Sequence, residues 1–253
     1  SVEEELRELV KRVEKLVERL RRIVKEIIER SRDLVRKSRE VVDRLKKELD
    51  ELVKEVVREE GEDSEVVEVI EKLVRLATRA LELHIKSLEK HVKLNEEALR
   101  RLIEVIEELV KLIREVVKEL LRITRRGEPE EELKRIVDRA KEEVKRVLKK
   151  LREILEEWKK KIRESLKENK TIVDKVKRDI ERVLEELEEA KVASDEVIRR
   201  IAEVVKRLID KLKELSDDNR KAVEDHERLV RKAIEELVRE VEDILRRIDE
   251  TAR

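Results

Sequence analysis

LKRIVDRAKEEVKRVLKKLREILEEWKKKIRESLKENKTIVDKVKRDIERVLEEL, residues 133–187, carries one continuous core stripe: Leu133, Ile136, Ala140, Val144, Val147, Leu151, Ile154, Trp158, Ile162, Ser165, Asn169, Ile172, Val176, Ile180, Val183 and Leu187. Fifteen steps cover 54 residues, or 3.6 per step, the period of an undistorted α-helix. The same ratio holds from Val66 to Leu120, with spacings that amount to an 18-residue repeat over five turns. A heptad pattern of 3.5 would impose a left-handed supercoil, so a match to 3.6 predicts nearly straight helices.

Moving outward from this stretch, the helix breakers are Gly61, Gly127 and Pro129. Gly61 suits the left-handed position after a first helix, with Asp63 or Ser64 as the cap of a second. Gly127 ends the second helix and Pro129 fits the N1 position of the third, where its missing N–H costs nothing. The last connection, Lys191 to Ser194, has no glycine. Its placement rests on Ser194 as N-cap, with Asp195 and Glu196 in the first turn beside the positive end of the helix dipole. Helices are therefore expected at about 2–60, 64–126, 129–191 and 195–252, each about 90 Å long at 1.5 Å per residue. Equal lengths and short loops predict an all-α, single-chain, antiparallel up-down-up-down four-helix bundle, with residues 1–253 as one domain.

Charged residues make up 53% of the chain, yet Lys plus Arg and Asp plus Glu both number 67. With acid and base alternating in nearly every turn there is no basic stripe, so neither nucleic acid nor a membrane surface is an expected partner. The 39% apolar content, set out with strict periodicity, separates the chain from disordered sequences of similar charge. Cysteine is absent, which removes disulfides, thiol chemistry and Cys-based zinc sites. No apolar run approaches the ~18 residues of a membrane span, and Ser1 is expected to open a helix rather than a signal peptide. The expectation is a soluble chain with no natural compartment, cytoplasmic on recombinant expression. Phe, Tyr, Met and Gln are also missing, and Trp158 is the one aromatic residue. A core of Leu, Ile, Val and Ala under Glu, Lys and Arg is what design rules recommend, whereas natural cores lean on aromatics and Met.

Every His and Asn falls on a core-facing stripe: His84, His91, His226, Asn95, Asn169 and Asn219 each lie within about 20° of the apolar centre of their helix at 100° per residue. Ser31, Ser38, Ser87, Ser165 and Ser216 lie within the apolar arcs as well. Antiparallel register predicts two layers. One holds Ser31, His91, Asn95, Trp158 and His226; the other holds Ser38, His84, Ser87, Ser165, Asn169, Ser216 and Asn219. Buried polar groups without partners cost a few kcal/mol, so these side chains are expected to satisfy one another and to penalise mispaired helices.

Chemical uses of the same residues are poorly supported. Ser31 with His226, or Ser38 with His84, would need an orienting carboxylate and an oxyanion hole. Asp33, Asp174, Asp217, Asp218 and Asp225 all fall on outer faces, and no glycine opens a helix. A di-iron pattern would place Glu three residues before each His, but Leu81, Leu88 and Val223 stand there. His84 and His91 are two turns apart, too far to share an ion unaided. Titration is the use with most physical content, because buried neutral imidazoles would have to charge in acid and loosen the bundle.

Val69, Leu76, Leu83, Leu94, Val105, Leu112 and Ile123 add a second edge to the second helix, widening its apolar arc to about 200° against about 120° on the third. Two origins are open: a rhombic bundle in which the second and fourth helices bury more, or a docking face for another helix or a second copy.

The 18-residue repeat, the loops GEDS (61–64) and GEP (127–129), and the core Ser, His and Asn together make the chain resemble de novo designed helical bundles built on parametric backbones with buried hydrogen-bond networks. The resemblance covers the whole chain. It implies a hyperstable scaffold of the kind made as a heterodimer half, cage or fusion component, without natural activity. The expectation is therefore a structural scaffold, not an enzyme, with no catalytic or metal-binding residues, no cofactor and no required partner. A switchable or self-associating module, acting through acid, helix exchange or the edge of the second helix with a designed helical partner, is the alternative.

Overall fold

The computed structural model describes residues 2–127 and 130–252. It contains four helices, α1 (Val2–Glu60), α2 (Glu65–Arg126), α3 (Glu130–Ala190) and α4 (Asp195–Ala252), of 59, 62, 61 and 58 residues. No strand occurs among the described residues. Each helix is amphipathic along its full length, and acidic residues open every first turn, where they complement the exposed N–H groups.

The ends follow from local chemistry. Gly61 takes φ +84° and its N–H donates to the Val57 carbonyl at 2.9 Å, closing α1. Ser64 then caps α2: its Oγ accepts from the Val67 N–H at 3.4 Å. Gly127, at φ +66°, follows α2 directly. Pro129 lies outside the described residues. At the third connection the left-handed residue is Lys191, with φ 49°, and Ser194 Oγ accepts from the Val197 N–H at 3.4 Å. A side chain thus occupies the backbone position that glycine fills at the other two loops, at the steric cost of Cβ against its own carbonyl.

The chain forms two compact units, to each of which all four helices contribute: Ser1–Glu29, Leu94–Lys161 and Glu224–Arg253 in the first, Arg30–Lys93 and Ile162–Val223 in the second. In the first unit, seven residues forward on α1, from Glu14 to Arg21, correspond to seven backward on α2, from Arg114 (2.8 Å to Glu14) to Glu107 (3.0 Å to Arg21). Arg101–Glu157 and Lys150–Glu108 run the same way between α2 and α3. Arg152–Glu242 and Lys141–Asp249 link α3 to α4, and Arg19–Glu236 and Arg12–Glu240 link α4 to α1. The second unit repeats the arrangement through Arg39–Glu89 and Lys46–Glu82 between α1 and α2, Lys90–Glu168 between α2 and α3, the Ser216–Asn169 hydrogen bond between α4 and α3, and Arg207–Glu48 and Arg200–Glu55 between α4 and α1. Each unit is therefore a ring of four antiparallel neighbours, the up-down-up-down four-helix bundle that the loop spacing predicts. Most of these ion pairs are exposed, so each contributes under about 1 kcal/mol; they mark register more than they hold it.

Stability comes from aliphatic burial. Leu49, Ile70, Leu73, Leu81, Ile180, Leu187 and Ile201 are fully buried in the second unit, and Leu99, Leu102, Ile106, Leu109 and Leu151 in the first, each contributing about 1.5–3 kcal/mol relative to exposure. The second edge of α2 is largely covered within its own units. Val105 and Ile123 are buried, and Val69, Leu76, Leu94 and Leu112 are half-buried. Leu83, 39% exposed, stands with Leu229 as the exposed large apolar residues among those described, which is no continuous apolar strip.

Candidate functional site

The buried core carries polar side chains from all four helices. In the second unit Asn169 is the hub, one helical face of α3 carrying it to the junction of α2 and α4. Its Oδ1 lies 3.0 Å from His84 Nδ1 on α2 and accepts from Ser216 Oγ on α4 at 3.2 Å. Its Nδ2 donates to Ser87 Oγ on α2 at 3.5 Å. Because a carbonyl oxygen only accepts, His84 must carry its proton on Nδ1. That leaves Nε2 as a lone pair, buried with no hydrogen-bond partner among the described residues. His84 is 0% exposed. Burial holds its imidazole below the ordinary histidine value, while the bond to Asn169 pulls weakly the other way.

Two further bonds lie in the same unit. Asn219 Nδ2 on α4 donates to Ser38 Oγ on α1 at 3.2 Å, and His91 Nδ1 on α2 lies 3.0 Å from Ser165 Oγ on α3. The first unit holds Trp158, whose indole Nε1 donates to Asn95 Oδ1 at 2.6 Å. Ser31 on α1 and His226 on α4 are buried, at 3% and 5% exposure. Ser87, His91, Asn95, Ser165, Asn169 and Asn219 are buried too, and Ser216 is half-buried.

His91, grouped from the sequence with Asn95 and Trp158, thus has a bond to Ser165, which the sequence places in the other layer.

Ser38 and His84 are bonded to Asn219 and Asn169 rather than to each other, and Asp33, Asp174, Asp217, Asp218 and Asp225 are exposed. Among the described residues no group of three or more His, Asp or Glu could hold a metal ion. An apolar cavity beside Ala140, Val116, Ile244 and Leu245 encloses about 10 Å³, room for one water at most and far below a ligand site. No helix is long and apolar enough to cross a membrane among the described residues.

Polar pairs at helix seams escaped the angular count. Lys141 Nζ meets Asp249 Oδ2 at 2.6 Å with both side chains about a quarter exposed, and Lys177 faces Lys213 across the same two helices. Facing positions of this kind become visible only once partner and register are both fixed.

No protein-family model matches the chain, and no curated protein does. Among solved structures the chain is similar to a computationally designed three-helix bundle, 20% identical, with 97% of this chain and 95% of that chain covered and a TM-score of 0.39. The two differ in helix number.

Proposed function

We propose that the chain is a designed structural scaffold without enzymatic activity, a single domain whose helix pairing is specified by its buried polar side chains. The observation that carries this reading is Asn169, which bonds to groups on both α2 and α4. An amide that reaches two neighbouring helices is satisfied in one register, whereas Leu, Ile and Val tolerate many. A composition without Phe, Tyr, Met, Cys or Gln supports a designed origin. The test replaces His84, Ser87, Asn169 and Ser216 together by Leu, Ala, Leu and Ala. The variant is expected to stay helical and as resistant to denaturant as the parent, but to populate extra species in size separation and in amide NMR spectra. A single, parent-like set of resonances would overturn the specificity role, and so would loss of the fold.

A second reading, a module loosened by acid, is favoured by His84, where protonation would place a second N–H in a core offering no acceptor. NMR titration of that imidazole tests it: a midpoint at or above the ordinary value of ~6.5 would end the idea.

A further inference from the structure

Asn169, Lys170 and Thr171 form the tripeptide Asn-x-Thr with a residue other than proline in the middle, whereas Asn95 and Asn219 are followed two places on by Glu97 and Lys221. The pattern is the acceptor signal for N-linked glycosylation, ordinarily met on surface loops. Here the fold hides it twice. Asn169 is 8% exposed, its Nδ2 donating to Ser87 Oγ at 3.5 Å and its Oδ1 held by His84 and Ser216. Residues two apart on a helix point about 200° from one another. Thr171 accordingly stands on the outer face, exposed, with its Oγ1 donating to the Lys167 carbonyl at 2.9 Å. A transferase that reads the amide and the hydroxyl together finds them on opposite sides of an intact helix.

We infer that Asn169 is an N-glycosylation acceptor of the nascent chain, and that glycan attachment and formation of the polar hub exclude one another. The order of synthesis leaves time for the reaction. Ser216 lies 47 residues after Asn169, so at about 5–20 residues per second its hydroxyl is made about 2–9 s after the amide. During that interval α3 lacks one of the two neighbours that bury Asn169.

The donor is an oligosaccharide carried on a lipid diphosphate. Asn169 Nδ2 attacks C1 of the first sugar as the C1–O bond to the diphosphate breaks. The amide gives up one proton and the lipid diphosphate leaves with the bonding pair, with no change in oxidation state. Nδ2 then carries a bulky, hydrated glycan at a site where Ser87 Oγ stands 3.5 Å away. A packed interior has no void of that size, and a sugar forced into it would lose its water.

The test translates the full chain behind a cleavable secretion signal in the presence of endoplasmic-reticulum vesicles. Entry is read from signal cleavage, and glycan from an endoglycosidase-sensitive gel shift. The parent should yield a glycosylated fraction. Thr171→Ala, at an exposed position outside the hub, should abolish it. Once the vesicles are opened, trypsin should digest glycosylated chains several-fold faster than unmodified ones. Purified, folded chain offered to the solubilised transferase with its lipid-linked donor should stay unmodified. The inference is overturned by a parent that enters the vesicles without a shift, or by a shift that survives Thr171→Ala. Modification of the folded chain overturns it as well, and so do glycosylated chains as trypsin-resistant as the rest.

Discussion

Asn169→Leu and His84→Leu remove opposite ends of one hydrogen bond, yet they should differ sharply in cost. Without Asn169, the Nδ1–H of His84 has nowhere to go. Shifting the proton to Nε2 does not help, because that atom is also buried and unpartnered among the described residues. An orphaned donor on a side chain 0% exposed costs about 1–3 kcal/mol. The lost Ser216 bond adds about 1 kcal/mol, softened because Ser216 is half-buried and reaches water. Apolar burial of the new leucine returns about 1 kcal/mol, leaving a loss of about 1–3 kcal/mol. Without His84, by contrast, Asn169 Oδ1 still accepts from Ser216 at 3.2 Å, and an unpaired Nε2 disappears with the ring, so the change is within about 1 kcal/mol. The double variant leaves no orphaned imidazole and should sit close to the parent. Guanidinium unfolding followed by circular dichroism measures all four corners of the cycle. With a slope of about 5 kcal/mol/M, the Asn169→Leu midpoint falls by about 0.2–0.6 M and the double variant recovers most of it. Equal midpoints for the two single variants, or a double variant whose loss is the sum of the singles, would refute the orphaned-donor reasoning.

Other outcomes follow from the same structure. Because the folded-state value of His84 is depressed, its contribution is intact above the unfolded value of ~6.5 and declines as pH falls below that toward the folded value; melts at pH 7 and 4.5 should show a lower midpoint in acid, and His84→Leu should shrink the gap. Lys191→Gly relieves a left-handed residue at φ 49° and should stabilise by about 0.5–1 kcal/mol, the αL relief exceeding the added unfolded-state freedom; an unchanged or lower denaturation midpoint contradicts this. Leu49→Ala, at a fully buried position, should cost about 2–5 kcal/mol in the same assay. Trp158, the only aromatic residue, belongs to the first unit, so its fluorescence reports that unit while circular dichroism reports all four helices; coincident transitions are expected of a single domain, and separated ones would mean that the units unfold independently.

Much of the fold was legible because it depends on short-range rules. The 3.6 period fixed helix type and inward face, and Gly61, Gly127 and Ser194 marked connections through the conformations their chemistry permits. The inward position of His84 or Asn169 needs only 100° per residue. Bonding partners need more. The bond of His91 to Ser165 depends on partner helix and register together, which an angular count along one helix does not supply. Lys191 gave no signal, since a left-handed residue without glycine or asparagine looks like any other lysine. Lys177 and Lys213 read as surface charges, and their apposition emerges from which helix neighbours which.

A regular aliphatic lattice with an 18-residue period has a translational ambiguity: displace one helix by a full period and every leucine finds an equivalent notch. Short loops suppress such slippage inside one chain, but at high concentration a helix can engage another molecule, where no loop polices the offset. The imidazoles and amides do not recur at that period, so a displaced strand of helix strands them opposite hydrocarbon. On the proposed reading, Asn169 and His84 would act as index marks on an otherwise uniform ruler, distinguishing the correct alignment from its copies during crowded folding.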